Sequence, residues 1–99
     1  MTPAEFQKSL AKRSPPVGLS PALAALWWMG KDEWNKAHEL AVNGEDTNCA
    51  WVHAHLHRVE GDLGNARYWY RRAGREPARG EFAAEWAAIV STLLGSQDP

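Results

Sequence analysis

Residues 50–74 constrain the fold more than any other part of the chain, because their sequence is typical of two helices joined by a tight Gly-Asp turn. Gly61 can end the first helix and Asp62 can cap the second, so the two helices face each other across the turn. The segment also carries three of the four histidines and two of the six tryptophans. It therefore predicts a helix pair that concentrates the residues best suited to a function.

Cap and turn residues divide the rest of the chain into further helices. The expected N-terminal caps are Thr2, with Glu5 completing a capping box, then Ser20, Asp32, and Asp46 or Thr47. The last helix, residues 81–94, has a broad apolar face formed by Phe82, Trp86, Ile89, Val90 and Leu93. No segment alternates polar and apolar residues with period two, so we expect no sheet. The fold class is therefore predicted to be all-α, with about six helices.

A chain of 99 residues is expected to form one domain. Residues 1–19 supply an N-terminal helix and a Pro-rich linker, residues 20–77 two helix pairs, and residues 79–95 a C-terminal capping helix. The single cysteine, Cys49, allows no internal disulfide and is expected to be a small buried residue. The N-terminus lacks the apolar core of a signal peptide, and no apolar run is long enough to cross a membrane. We therefore expect a cytoplasmic protein without a membrane partner.

An internal repeat emerges when the third helix is laid over the fifth. The matched residues are Trp34 with Leu63, Ala37 with Ala66, and Ala41 with Tyr70, all at an offset of 29 residues. Small residues at equivalent positions allow paired helices to approach closely. The overlay therefore predicts that one kind of helix pair occurs twice.

The second pair resembles a known repeat family. Gly61-Asp62-Leu63, followed by Ala66, Tyr70 and Ala73, is similar to the second half of a tetratricopeptide repeat (TPR). The resemblance implies antiparallel helix pairs stacked as a short TPR-like bundle. The chain is also similar to small bacterial proteins that carry the strings AWVHA and NARYWYRRAG, a similarity that implies no activity.

The TPR resemblance suggests a binding surface. In TPR arrays the first helix of each pair lines a concave groove, which in this chain would assign Trp51, His55 and Arg58 to the binding of a protein or peptide. Alternatively, two pairs are too few for a groove, and Trp51 packs against the last helix. Flanking helices, or a second copy of the chain in a homodimer, are expected to cover the ends of so short a stack.

The histidines suggest a second kind of site. His53 and His57 are four residues apart on one helical face, a spacing that allows two imidazoles to share one divalent metal ion, and Glu60 or His38 could supply a third ligand. Both histidines stand where the TPR pattern has Leu and Tyr, so hydrogen-bonded histidines packed between helices are the alternative. No other cofactor is expected.

A third candidate site combines one cation with aromatic rings. Arg72 lies near Tyr68 and Trp69, and such a group can hold an anionic ligand, although a solvated face of mixed charge explains the same pattern.

The formal net charge of −1 gives no indication of nucleic-acid binding. Enzyme motifs such as a Gly-rich phosphate loop are lacking. The sequence therefore favours a protein-binding or peptide-binding module, then a small-ligand or metal-binding protein, and then an enzyme of unknown reaction.

Overall fold

The computed structural model describes residues 1–97, with side chains described up to residue 95, and within that range it contains six helices and no strand. The helices are α1 (Pro3–Ser9), α2 (Pro21–Gly30), α3 (Trp34–Asn43), α4 (Thr47–Glu60), α5 (Leu63–Ala73) and α6 (Phe82–Gln97). The all-α class with six helices is therefore confirmed. Two residues of the predicted domain, 98 and 99, lie outside the described residues.

Local capping chemistry sets most of the helix starts. Thr2 and Glu5 form the predicted capping box of α1, and the Ser20 side chain caps α2. Asp46, one of the two candidates, caps α4 through its carboxylate, and Asp62 caps α5 in the same way. Each cap satisfies a backbone N–H that has no partner inside the helix. The predicted starts of these four helices are therefore confirmed.

The turn between α2 and α3 differs from the prediction. Glu33, not Asp32, is the N-cap of α3, and its side chain makes no capping hydrogen bond. Asp32 instead has a φ of 60°, in the left-handed region that Asp tolerates better than most residues, and its N–H donates to the carbonyl of Met29 at 2.9 Å. The predicted Asp32 cap is wrong because Asp32 lies in the tight turn after α2, where its N–H bonds back to the end of that helix.

Two helix pairs form the centre of the molecule. Helix α2 packs against α3 and α4 packs against α5, and because short turns join the members of each pair, they run antiparallel. Ala37, Ala41, Ala66 and Tyr70, which the repeat overlay matched, are all buried. Helix α4 also contacts α2, α3 and α6, so each of its faces meets a different neighbour.

Helices α1 and α6 are held against α2 by indole side chains. Trp86 Nε1 donates to the carbonyl of Leu26 at 2.8 Å, and Trp27 Nε1 donates to Ser9 Oγ at 3.0 Å. Phe6 is fully buried and lies 5.8 Å from the Trp86 ring, measured between ring centroids. None of the helices within residues 1–97 combines the length and apolar character needed to cross a bilayer.

The apolar face predicted for the last helix is only partly buried. Ile89, Val90 and Leu93 enter the core, whereas Phe82 at the start of α6 is 47% exposed. The Arg58 guanidinium of α4 lies over the Phe82 ring, 4.8 Å from its centroid. The first turn of α6 therefore covers α4 through polar and aromatic contacts, and its later turns fill the core.

Candidate functional site

Three histidines from two helices meet on one side of α4. His53 and His57 project from α4, and His38 projects from α3, which packs against this side. His38 Nε2 lies 3.1 Å from His53 Nε2, and one ring nitrogen from each histidine lies within 4.8 Å of the other two. We call His38, His53 and His57 the histidine cluster. It brings together His53 and His57, which the sequence predicted to share an ion, and His38, one of the two residues suggested as a third ligand.

His57 is held in one orientation by partners on both ring nitrogens. Its Nδ1 lies 2.5 Å from Glu60 Oε2, and its Nε2 lies 3.3 Å from the side-chain nitrogen of Asn65. Because the Asn65 amide nitrogen can only donate, Nε2 accepts and Nδ1 carries the proton that is donated to Glu60. Glu60, suggested from the sequence as a ligand, is therefore placed to orient the His57 ring.

His53 is buried with one nitrogen unsatisfied. The side chain is 5% exposed, and Nδ1 has no hydrogen-bond partner, the one buried side-chain nitrogen or oxygen of this kind among the described residues. Leaving a buried polar atom unpaired costs about 1–3 kcal/mol relative to a paired one. An imidazole that serves only to pack is expected to have both nitrogens satisfied.

The surroundings keep two of the three imidazoles uncharged. Burial, together with the neighbouring His57 and His38, lowers the pKa of His53 from 6.5 to about 4. Burial and then His57 also lower the pKa of His38, with the Glu60 carboxylate opposing them. His38 and His53 are therefore neutral at neutral pH, the state in which an imidazole nitrogen can bind a metal ion.

Two tryptophans form aromatic walls around the cluster. The Trp69 ring stacks on His53 at 4.0 Å and the Trp34 ring stacks on His38 at 4.6 Å, measured between centroids. Trp34 is fixed by a hydrogen bond from its Nε1 to the carbonyl of Leu56 at 2.8 Å. The rings restrict the movement of the imidazoles, and they bring two natural fluorophores to the site.

A second grouping of ligand atoms shares His57. One atom each from His57, Glu60 and Asp62 also lie within 4.8 Å of one another. Glu60 and Asp62 are exposed, and Asp62 accepts the capping hydrogen bond at the start of α5. Exposed carboxylates often lie this close together without a ligand, so this grouping is a less specific candidate than the histidine cluster.

The three residues expected to line a groove lie beneath α6 and the loop before it. Trp51 is 9% exposed, with the Arg75 guanidinium 3.8 Å from its ring centroid, and His55 is 1% exposed. His55 Nδ1 lies 2.6 Å from Glu85 Oε1, and Arg58 donates to the same oxygen at 3.1 Å. The side chains of Trp51 and His55 are therefore largely buried, and that of Arg58 is paired with Glu85.

The third set suggested by the sequence forms a group on α5. Arg72 donates to the Tyr68 hydroxyl at 3.0 Å, and its guanidinium lies 5.3 Å from the Trp69 ring centroid. Arg72 and Tyr68 are exposed, while Trp69 is half-buried because its ring also contacts His53. Trp69 therefore belongs to the histidine cluster as much as to the Arg72 face.

Sequence reasoning missed two residues that shape these sites. Glu85 of α6 is buried and accepts hydrogen bonds from His55, Arg58 and Tyr70. Burial alone would raise the Glu85 pKa, but these hydrogen bonds outweigh it and hold the pKa below its usual value. Asn65 was also missed, although its place eight residues after His57 across a two-residue turn could have suggested a contact.

Comparison of the chain with protein-family models, with curated proteins and with solved structures found no match.

Proposed function

We propose that this protein binds a divalent transition-metal ion through His38, His53 and His57, with Glu60 orienting His57. The observation that carries the proposal is the convergence of three imidazole nitrogens, from two helices, within 4.8 Å of one another. Imidazole is a preferred ligand of Zn²⁺, Ni²⁺ and Cu²⁺. Three protein ligands leave a fourth tetrahedral position for water or another small ligand.

The spacing of the nitrogens suits such an ion. Two nitrogens that each lie about 2.1 Å from one ion at a tetrahedral angle are about 3.4 Å apart. His38 Nε2 and His53 Nε2 are 3.1 Å apart, close to that value. The widest separation within the cluster is at most 4.8 Å, so the three nitrogens reach tetrahedral spacing through shifts of about 1.4 Å or less.

Charge and protonation also favour a cation. The lowered pKa values of His38 and His53 leave both rings neutral, so ion binding releases no proton from them to solvent at neutral pH. One of the two Nε2 atoms carries the proton of the hydrogen bond between them, and on ion binding that proton moves to Nδ1 of the same ring. The Glu60 carboxylate holds the proton of His57 on Nδ1, so Nε2 keeps a lone pair that a bound ion would take over from the Asn65 amide, and a carboxylate at this position makes an imidazole a stronger ligand.

Isothermal titration calorimetry of the chelator-treated protein with Zn²⁺ and Ni²⁺ tests the proposal. We expect one equivalent of at least one of these ions to bind with a Kd of about 1 µM or tighter. His38→Ala and His53→Leu are expected to weaken binding at least about tenfold, and Glu60→Gln by about 10-fold to 100-fold. At a free metal concentration 100 times the Kd, binding should stabilise the fold by about 2.7 kcal/mol and raise the Tm by roughly 10–20 °C.

Asp62→Asn is the matched control for this titration. Asn caps a helix as well as Asp does, so the variant removes the carboxylate without removing the cap of α5. We expect its affinity to equal that of the unchanged protein. If Asp62→Asn abolishes binding and His38→Ala does not, the exposed grouping of His57, Glu60 and Asp62 is the site and the proposal is wrong. Titrations that change neither tryptophan fluorescence nor the Tm would also reject it.

Partner binding is the weaker candidate function. It depends on Trp51, His55 and Arg58, and two of these side chains are buried while the third is paired with Glu85. A protein or peptide partner, including a second copy of the chain, therefore stays a prediction from the sequence. Light scattering that shows a monomer at every concentration would exclude the homodimer.

A further inference from the structure

An open pocket lies on the face of α4 that is turned away from the histidine cluster. Its volume is about 320 Å³, and α1, α2, α4 and α6 all contribute to its wall. His55 belongs to this wall and is two residues from both His53 and His57, which directs it to the opposite side of the helix. The pocket and the histidine cluster are therefore separate sites.

The wall of the pocket is mainly apolar, with the His55 imidazole and the Gln7 amide as polar elements. Leu10, Met29, Val59, Phe82 and Trp86 supply aliphatic, thioether and aromatic surface. Phe82 is 47% exposed, so part of its ring is open to a molecule that enters. Sites for small molecules commonly combine such walls with a few placed polar groups, and about 320 Å³ is near the lower end of their size range.

The hydrogen bond that His55 makes leaves one of its ring nitrogens for a ligand. Its Nδ1 lies 2.6 Å from the Glu85 carboxylate, so Nδ1 carries a proton and donates it to that hydrogen bond. Arg58 donates to the same carboxylate oxygen at 3.1 Å, so Glu85 already has a positive partner. Nε2 is the ring nitrogen that remains, and in the neutral imidazole it has a lone pair that can accept a hydrogen bond.

We propose that this pocket binds a small aromatic molecule that carries one hydroxyl group, with the hydroxyl donating to His55 Nε2 and the ring packing on Phe82 and Trp86. An acceptor such as His55 Nε2 in an apolar wall favours a ligand that donates a hydrogen bond to it. A ligand without a donor is disfavoured, because Nε2 would lose its contact with water and gain no partner. Aromatic ligand rings suit this wall because Phe82, Trp86 and the Met29 sulfur all make favourable contacts with ring edges and faces.

Titration with 2-naphthol, followed by NMR of protein with ¹³C-labelled histidine rings, tests the proposal. EDTA is included so that metal binding does not contribute. We expect saturable shifts of the His55 ring signals, with the signals of the histidine cluster unchanged. 2-Methoxynaphthalene, which lacks the donor, is expected to bind about fivefold more weakly, the effect of one net hydrogen bond.

Two neighbouring alanines provide a matched pair of variants. Ala83 and Ala84 are both exposed on α6, but Ala83 lines the pocket while Ala84 lines a different cleft beside Trp51. Ala83→Trp should fill the pocket and weaken 2-naphthol binding at least about tenfold, which is 1.4 kcal/mol. Ala84→Trp should change it less than about twofold, or 0.4 kcal/mol.

Three results would overturn the inference. They are the absence of His55 shifts up to the solubility limit of 2-naphthol, equal effects of the two tryptophan variants, and equal affinity for the methoxy compound. His55→Gln is a further test of the hydrogen bond, and it should reduce the preference for 2-naphthol over the methoxy compound. Because Ala83 and Ala84 are exposed, the test remains decisive even if His55→Gln does not fold.

Discussion

Replacing His53 by Leu should make the protein much less sensitive to acid. The folded state holds the pKa of His53 at about 4, below the usual value of 6.5, so the ring stays neutral in the fold while the unfolded chain takes up a proton below about pH 6.5. The fold therefore has its full stability above pH 6.5 and loses the His53 contribution as the pH falls towards about 4. With these two pKa values, the loss between pH 7 and pH 5 is about 2 kcal/mol.

Urea denaturation in EDTA, followed by far-UV circular dichroism at about pH 7 and about pH 5, measures this effect. Leu also removes the unpaired Nδ1, so the free energy of unfolding of His53→Leu near pH 7 should lie within about 1 kcal/mol of the original value. Between about pH 7 and about pH 5, the free energy of unfolding of the variant should fall by about 2 kcal/mol less than that of the unchanged protein. His38→Leu is the control. Because His38 is only half-buried, this substitution should change the acid sensitivity less than His53→Leu does. Equal acid sensitivity in all three proteins would refute the reasoning.

Three further predictions concern the fold itself. Glu85→Gln leaves the Arg58 cation without its counter-charge, so the free energy of unfolding in urea should fall by about 3 kcal/mol; a loss below about 1 kcal/mol would contradict the role given to this carboxylate. Gly64→Ala, in an exposed and open helical position, should stabilise the fold by about 0.5 kcal/mol. Gly61→Ala, at a φ of 90°, should destabilise the fold by about 1 kcal/mol. Thermal melts that give the reverse order of stability would contradict this prediction. Cys49 is fully buried and its pKa is raised to about 12, so iodoacetamide should label it only in urea; rapid labelling of the folded protein would show that the thiol is accessible.

Much of the fold could be predicted from the sequence because the signals are local. The caps at Thr2, Ser20 and Asp62 depend on side chains within three residues of the N–H groups they satisfy. The Asp32 cap failed because the left-handed conformation of that residue depends on how tightly α2 and α3 reverse. Capping preferences describe where a helix can begin, and they do not describe how two packed helices share the turn between them.

The candidate sites were predictable only in part. His53 and His57 share a face because of helical spacing alone, and His38 was a reasonable third member because its helix precedes α4. The covering of Trp51 and His55 depends on where α6 lies, and an apolar face does not specify the helix it will pack against. Glu85 pairs with a residue 30 positions earlier in the chain, a contact for which the sequence carries no local signal.

The most direct test of the central claim is X-ray absorption at the zinc edge of the protein loaded with one equivalent of Zn²⁺. The metal-site proposal predicts three imidazole ligands with zinc–nitrogen distances of about 2.0–2.1 Å and one further light atom, and the imidazole signal should fall by about one ring in His38→Ala. A spectrum dominated by carboxylate oxygens, with a single imidazole that persists in His38→Ala, would contradict it. That spectrum would assign the ion to the exposed grouping of His57, Glu60 and Asp62.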